Sequence, residues 1–284
     1  MLYQYPHPMH YLTVTLLSLL LVPLSAFADV SSVTSGTEDI IFTFLYYLSA
    51  FGYFVAALMM GIAITGFGRS SLGSAFTFIF YGTAVFFIIA VFQTLGGTFF
   101  GISDESMDIW WHLLFYLAFI LYFVGLHSLV RIGKNKNELG AETVVKKELG
   151  WKIASFVLIV AAFTLPSSLD PFITQYAQSP LAALGLHHFI AFIAAAVVAL
   201  YLVLAKQQFG VIGNAIAAPM SLSVGMLAIQ HFWELLTESW KVIVVSSYTI
   251  EGVEKIFLFA SAVCMLIAAW RLKTFTMPSS SPAS

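Results

Sequence analysis

Charged side chains are scarce in this sequence, since Asp, Glu, Lys and Arg together make up only 9% of its 284 residues. A soluble domain has about 25% charged residues, because most of its surface faces water. The 12 Lys and Arg residues are too few to build the basic patch of a nucleic-acid-binding protein. The scarcity of charge therefore excludes a soluble enzyme, a disordered chain and a nucleic-acid partner.

Cysteine is almost absent as well. The single Cys264 cannot form a disulfide within the chain, and the sequence contains no CxxC motif. Apolar residues are abundant instead, because they account for 60% of the chain and include 27 Phe. This composition predicts an all-α integral membrane protein. Its main partner is the lipid bilayer, and other membrane subunits are further candidates.

The first 28 residues have the pattern of a secretory signal peptide. An apolar run at residues 12–22 precedes the small-x-small triplet Ala-Phe-Ala at residues 26–28. The residues before the run include no Lys or Arg, and the alternative is a retained anchor helix broken at Pro23. We expect cleavage after Ala28. Residues 29–276 would then form the transmembrane domain, followed by a disordered Ser/Pro-rich tail at residues 277–284.

Seven apolar stretches follow the predicted signal peptide. About 20 apolar residues are needed for a helix to cross the hydrocarbon core of a bilayer. The fourth stretch is short and contains Pro166 near its end. The sequence therefore predicts a seven-helix transmembrane bundle. The predicted spans are residues 40–66, 74–99, 109–130, 153–169, 181–205, 211–236 and 253–272.

The basic residues predict the orientation of the bundle. With the mature N-terminus outside, ten of the twelve Lys and Arg residues lie inside, and only Lys241 and Lys255 lie outside. Cytoplasmic loops of membrane proteins are rich in Lys and Arg, so we expect N-out and C-in, in a bacterial cytoplasmic membrane. Eleven of the fourteen acids lie at the outer side. Acids contribute little to topology, so this excess points to a function at the outer face.

Histidines and acids recur at one depth in the outer part of the bundle. Two stripes have the spacing i, i+3, i+7, which places their members on one helix face. The fifth span contributes the adjacent pair His187 and His188, and Glu254 lies at the start of the seventh. The stripes are Glu105, Asp108 and His112 in the third span, and His231, Glu234 and Glu238 in the sixth.

Imidazole and carboxylate groups together are the usual ligands of zinc and non-haem iron. We therefore expect a transition-metal site formed by His112, His231 and one of His187 and His188. Glu234 would be a further ligand or a general base in a metal-dependent membrane enzyme. A shared zinc ion requires the imidazoles of His112 and His231 to lie within about 5 Å. The acids that would orient the ligands are Asp108, Glu238, Glu105 and Glu254.

The same residues are compatible with three other functions. Two imidazoles could ligate one b-type haem in an electron-transfer subunit. The acids could form the entrance of a proton or cation transporter, although few ionisable groups continue toward the inner side. In a non-catalytic sensory or structural protein, these residues would belong to an interfacial belt. The tryptophans of such a belt would be Trp110, Trp111, Trp233 and Trp240.

Overall fold

The computed structural model of the chain describes residues 35–67, 70–100, 104–134, 166–206 and 210–276. Throughout these residues the regular secondary structure is helical. The first three helices are α1 (Ser35–Phe67), α2 (Ser71–Phe100) and α3 (Asp104–Lys134). They are followed by α4 (Pro166–Ala177), the short α5 (Pro180–Ala183), α6 (Leu186–Ala205), α7 (Gly210–Glu234) and α8 (Ser247–Thr276).

Six of the described helices are long and apolar enough to cross a membrane, namely α1, α2, α3, α6, α7 and α8. The helical architecture expected from composition is therefore confirmed for the described residues, and its six long apolar helices are consistent with a multi-pass membrane protein. The signal peptide, residues 153–165 of the fourth predicted span and the C-terminal tail lie outside the described residues. The seventh span and the orientation stay predictions.

The six long helices form a closed ring. Each helix packs on the next in the order α1, α2, α3, α6, α7 and α8, and α8 packs back on α1. Large side chains such as Tyr53, Phe86 and Phe115 fill the interior and are almost completely buried. Others, such as Phe44 and Ile120, are exposed on the outer surface, where an acyl chain would contact them. The α4 helix packs on the outside of α3.

Buried hydroxyl groups link three helices in the middle of the ring. Ser261 on α8 shares hydrogen bonds with Tyr53 on α1 at 2.7 Å and with Ser223 on α7 at 2.9 Å. Within an apolar bundle these groups have no water to bind, so they satisfy one another across helices. The three hydroxyls thereby fix the relative positions of α1, α7 and α8.

The α6 helix begins later than the sequence pattern predicted. The predicted span started at residue 181, but the chain forms the short α5, turns at Gly185 and begins α6 at Leu186. Gly185 has a φ of 72°, in the left-handed region, and this conformation interrupts a right-handed helix. His187 and His188 consequently lie in the first turn of α6 and not two turns inside a longer helix.

The end of α7 widens into a π-helical turn at Leu235–Ser239. The N–H of Trp240 donates to the carbonyl of Leu235 at 2.9 Å, five residues earlier. A Cβ atom on Gly185 would overlap the side chain of Ser239, so only glycine permits this close approach. The contact holds the start of α6 against the end of α7. Single π turns often occur beside functional sites.

Candidate metal centre

Three imidazoles converge on one carboxylate oxygen of Glu234. Its Oε2 atom lies 2.8 Å from Nδ1 of His231 and 3.0 Å from Nδ1 of His188. The same oxygen lies 3.5 Å from Nε2 of His112. All four side chains are buried, with at most 4% exposure. Polar groups from α3, α6 and α7 thus share one compact space inside an otherwise apolar bundle.

The spacing of these donor atoms fits a metal ion. Each of the four residues offers one ligand atom, and these atoms all lie within 4.8 Å of one another. Zinc bonds of 2.0–2.1 Å in a tetrahedral site separate the donor atoms by roughly 3.3 Å. The three distances from the Glu234 oxygen, 2.8, 3.0 and 3.5 Å, lie on both sides of that value. A bound ion would draw the four donor atoms, which lie within 4.8 Å of one another, to the shorter separations of a tetrahedral site.

Helical periodicity brings these groups together. His231 and Glu234 are three residues apart and share one face of α7. His112 reaches the same space from α3, and its ring centroid lies 5.1 Å from that of His231, close to the separation expected for a shared zinc ion. The His188 ring lies 4.5 Å from that of His112. The structure thus brings together the histidines of all three predicted spans.

Asp108 holds His112 in an orientation suited to metal binding. Nδ1 of His112 lies 2.8 Å from the main-chain carbonyl oxygen of Asp108 and 3.2 Å from its Oδ1 atom. A carbonyl oxygen can only accept a hydrogen bond, so Nδ1 carries the proton. In the neutral ring the lone pair of His112 is then on Nε2, which lies 3.5 Å from Oε2 of Glu234. Metal-bound histidines are commonly oriented in this way through their second nitrogen.

The adjacent histidines of α6 point to different partners. Nδ1 of His188 faces Glu234, whereas Nε2 of His187 lies 2.9 Å from Oδ2 of Asp108. The sequence left open which of the two histidines would join His112 and His231. In the structure His188 belongs to the four-residue cluster, whereas His187 forms a second group with Asp108 and His112 that could also hold a metal ion.

Gln230 is a site residue that the sequence analysis missed. Its Nε2 atom donates to Oε1 of Glu234 at 3.0 Å, and the amide is completely buried. Gln230 therefore binds one carboxylate oxygen and leaves Oε2 to the imidazoles. Its spacing of i, i+4 from Glu234 was the available signal, because it places both residues on one helix face.

The remaining predicted acids lie around the cluster at different distances. Glu238 in the π turn has an oxygen 3.6 Å from Nε2 of His188. Glu254 on α8 is buried, and its Oε1 atom has no hydrogen-bond partner within the described residues. The side chain of Glu105 lies outside the described part of the chain.

A cleft of about 240 Å³ extends from the cluster to the surface. Asp108 and Glu238 are half-exposed at the mouth. Trp111 is 5% exposed and packs edge-on against the rings of His112 and His231. It therefore differs from the interfacial tryptophan that the belt interpretation expected. The cleft is lined by Met107, Asp108, Trp111, His188, Glu234, Glu238 and Glu254.

Two further side chains, Tyr176 and His127, lie outside the four-residue cluster. Tyr176 at the end of α4 packs edge-on against His187, with ring centroids 6.3 Å apart. Burial and the nearby charge of Asp108 raise the pKa of Tyr176. His127 lies fifteen residues after His112 on α3 and its Nδ1 atom is 3.3 Å from the Tyr201 hydroxyl. It is exposed and takes no part in the cluster.

Comparison with known proteins gave no match, since no family model, curated protein or solved structure matches the chain.

Proposed function

We propose that this chain is a multi-pass membrane protein that binds zinc or iron at His112, His188, His231 and Glu234. The observation that carries the proposal is the convergence of four buried donors within 4.8 Å. Burying so many polar groups is costly unless they are compensated. A divalent cation would compensate the carboxylate charge and the imidazole lone pairs together.

The geometry supports a catalytic use of the metal as well as a binding role. A divalent metal supplies a Lewis acid that polarises a substrate or activates water at neutral pH. Three imidazoles suffice to hold the ion with one open position, as in catalytic zinc sites. Gln230 holds Oε1 of Glu234, and Oε2 would then act as ligand or accept a proton from water. We propose a metal-dependent membrane enzyme on this basis.

A haem is less compatible with the cluster. A haem iron with two axial histidines places their nitrogens roughly 4 Å apart, on opposite sides of a flat macrocycle. Here the space between the imidazoles contains the Glu234 carboxylate, which lies within 3.5 Å of nitrogens of all three histidines. A single ion uses all four donors, whereas a haem would use two.

We also propose that the cluster faces the outer side of a bacterial cytoplasmic membrane. The cluster lies near the starts of α3 and α6 and at the end of α7, and Glu254 near the start of α8 lines the cleft beside it. Basic residues lie at the opposite ends of these helices, and their inward placement would follow the usual bias of cytoplasmic segments. They are Arg131 on α3, Lys206 after α6, and Arg271 and Lys273 on α8.

Metal analysis of the purified protein tests the binding proposal. The full chain in detergent, loaded with zinc or iron(II) and freed of excess metal, should retain about one ion per molecule and show no Soret band. His112→Ala and Glu234→Gln should lower the retained metal. His127→Ala is the matched control, because it removes an exposed imidazole from the same helix as His112. Equal metal in all these variants would refute the site.

A further inference from the structure

The cleft beside the four-residue cluster of His112, His188, His231 and Glu234 is lined by an excess of acidic side chains. Four carboxyl groups line it, and no Lys or Arg is among the lining residues. Within the described residues, all ion pairs of Asp108, Glu234 and Glu238 are with histidines. The four groups carry up to four negative charges, of which a divalent metal cancels two. With the metal bound, up to two negative charges therefore remain in the cleft.

Glu254 is the carboxyl group that most needs a partner. It is 8% exposed, lines the cleft, and its Oε1 atom has no hydrogen-bond partner in the described part of the chain. Its neighbour Lys255 places its ammonium over the rings of Tyr46 and Trp111, 5.0 and 6.0 Å from their centroids. Buried polar groups are almost always hydrogen-bonded. Glu254 thus offers an acceptor to a donor that enters the cleft.

The apolar part of the cleft lining is suited to an organic molecule. It consists of Trp111 and Met107, and an aromatic ring and a thioether pack favourably against an apolar stem. The indole N–H of Trp111 has no hydrogen-bond partner in the described residues. The volume of about 240 Å³ is more than ten times the roughly 10–15 Å³ that a single water molecule requires. A small molecule of several heavy atoms would fit.

We infer that this cleft binds a small organic cation with a primary amine or guanidinium group, which donates to Glu254 beside the metal. The inference rests on the proposed metal function and defines the class of substrate for that site. Anionic substrates, including phosphate esters and carboxylates, would be repelled by the same acids. The apolar stem of the substrate would lie against Trp111 and Met107.

Calorimetric titration of the zinc-loaded full chain tests this inference with three probes that share a four-carbon stem. The probes are n-butylammonium chloride, n-butanol and sodium butyrate. We expect butylammonium to bind at least about tenfold more tightly than butanol, and butyrate not to bind, because a charge-assisted hydrogen bond is worth about 1.5–3 kcal/mol. Equal binding of butanol would overturn the inference.

Two glutamates of α8 provide the matched variants. Glu254→Gln should weaken butylammonium binding by about tenfold or more. Glu251→Gln, at an exposed position one turn earlier and outside the cleft lining, should leave it unchanged. If Glu254→Gln does not fold, Glu238→Gln, at the half-exposed mouth of the cleft, should also weaken butylammonium binding. Identical affinities in wild type and the cleft variants would contradict the inference.

The measurements also separate this inference from the metal proposal. Zinc retention without butylammonium binding would overturn only the substrate class. A wild-type chain that retains no zinc would overturn the proposed function itself. A second equivalent of zinc that depends on Glu254 and excludes butylammonium would assign the cleft to a metal ion and overturn the inference.

Discussion

At the scale of single residues, the two adjacent histidines of α6 should respond differently to substitution. His188→Ala removes an imidazole that faces Glu234, so zinc retention should be lost. His187→Ala removes only a partner of Asp108, so about one zinc should still bind, with an affinity about 10–100-fold lower. Competition with a chelator measures both affinities. A larger loss of zinc affinity in His187→Ala than in His188→Ala would show that His187 is the ligand.

Gln230 should affect the zinc affinity of the proposed metal site although its side chain is not a ligand. Gln230→Ala releases Oε1 of Glu234, so the carboxylate loses its fixed orientation. Zinc affinity should fall about 10–100-fold, as is common when a residue supporting a metal ligand is removed. Gln230→Glu keeps the size of the side chain but places a second acid beside Glu234. This variant should raise neither the zinc affinity nor the stability of the protein. An unchanged affinity in Gln230→Ala would exclude the positioning role.

Helical periodicity explains why much of the site could be predicted. Spacing of i, i+3 or i+4 fixes which side chains share a helix face, so the stripes ending at His112 and Glu238 were visible in the sequence. Periodicity within one helix says nothing about contacts between helices, and so it could not choose between His187 and His188. Gln230 was missed because one neutral amide in an apolar helix resembles a packing residue.

At the scale of secondary-structure elements, the contact between Gly185 and the π turn should control the site. Gly185→Ala forces alanine into the left-handed region, at roughly 1–2 kcal/mol, and its Cβ atom would overlap Ser239. The start of α6 must then move away from α7, which carries His188 away from Glu234. Both the thermal midpoint and the zinc affinity should fall.

Gly225 provides the control for this substitution. It lies inside α7, and a Cβ atom added there would meet no atom within 4 Å. Because alanine favours helix over glycine by about 1 kcal/mol, Gly225→Ala should leave the midpoint unchanged or raised and zinc affinity unaltered. Equal effects of the two substitutions would show that the turn at Gly185 does not position the site.

The start of α6 also shows what an apolar pattern cannot predict. Hydropathy continues across residues 181–185, so the predicted span included them. The break depends on the backbone conformation of Gly185 and on its packing against Ser239. Apolar periodicity encodes neither this conformation nor this packing, although a glycine in an apolar run is a recognised signal for a break in a helix.

At the scale of the whole molecule, carboxyl groups and histidines are concentrated at one end of the ring of six helices and most of the described basic residues at the other, with Lys241 and Lys255 at the cluster end. Ser247 lies at the cluster end and Thr274 at the opposite end of α8, and both are exposed. The only native cysteine, Cys264, has 0% exposure. These positions permit a direct test of orientation.

Labelling of intact cells with a membrane-impermeant maleimide should distinguish the two ends. With the cluster outside, Ser247→Cys should react, and Thr274→Cys should react only after the membrane is permeabilised. Wild type should give little signal because Cys264 is buried. Reaction of Thr274→Cys alone in intact cells would reverse the proposed orientation, which depends on the distribution of Lys and Arg.

The proposed metal site is tested most directly by X-ray absorption at the zinc edge of the zinc-loaded full chain. We expect about one zinc per molecule, with four nitrogen or oxygen ligands at about 2.0–2.1 Å and outer-shell scattering from imidazole rings. His112→Ala should reduce the imidazole contribution, whereas His127→Ala should preserve it. A protein without stoichiometric metal, or zinc coordinated by sulfur at about 2.3 Å, would contradict a site formed by His112, His188, His231 and Glu234.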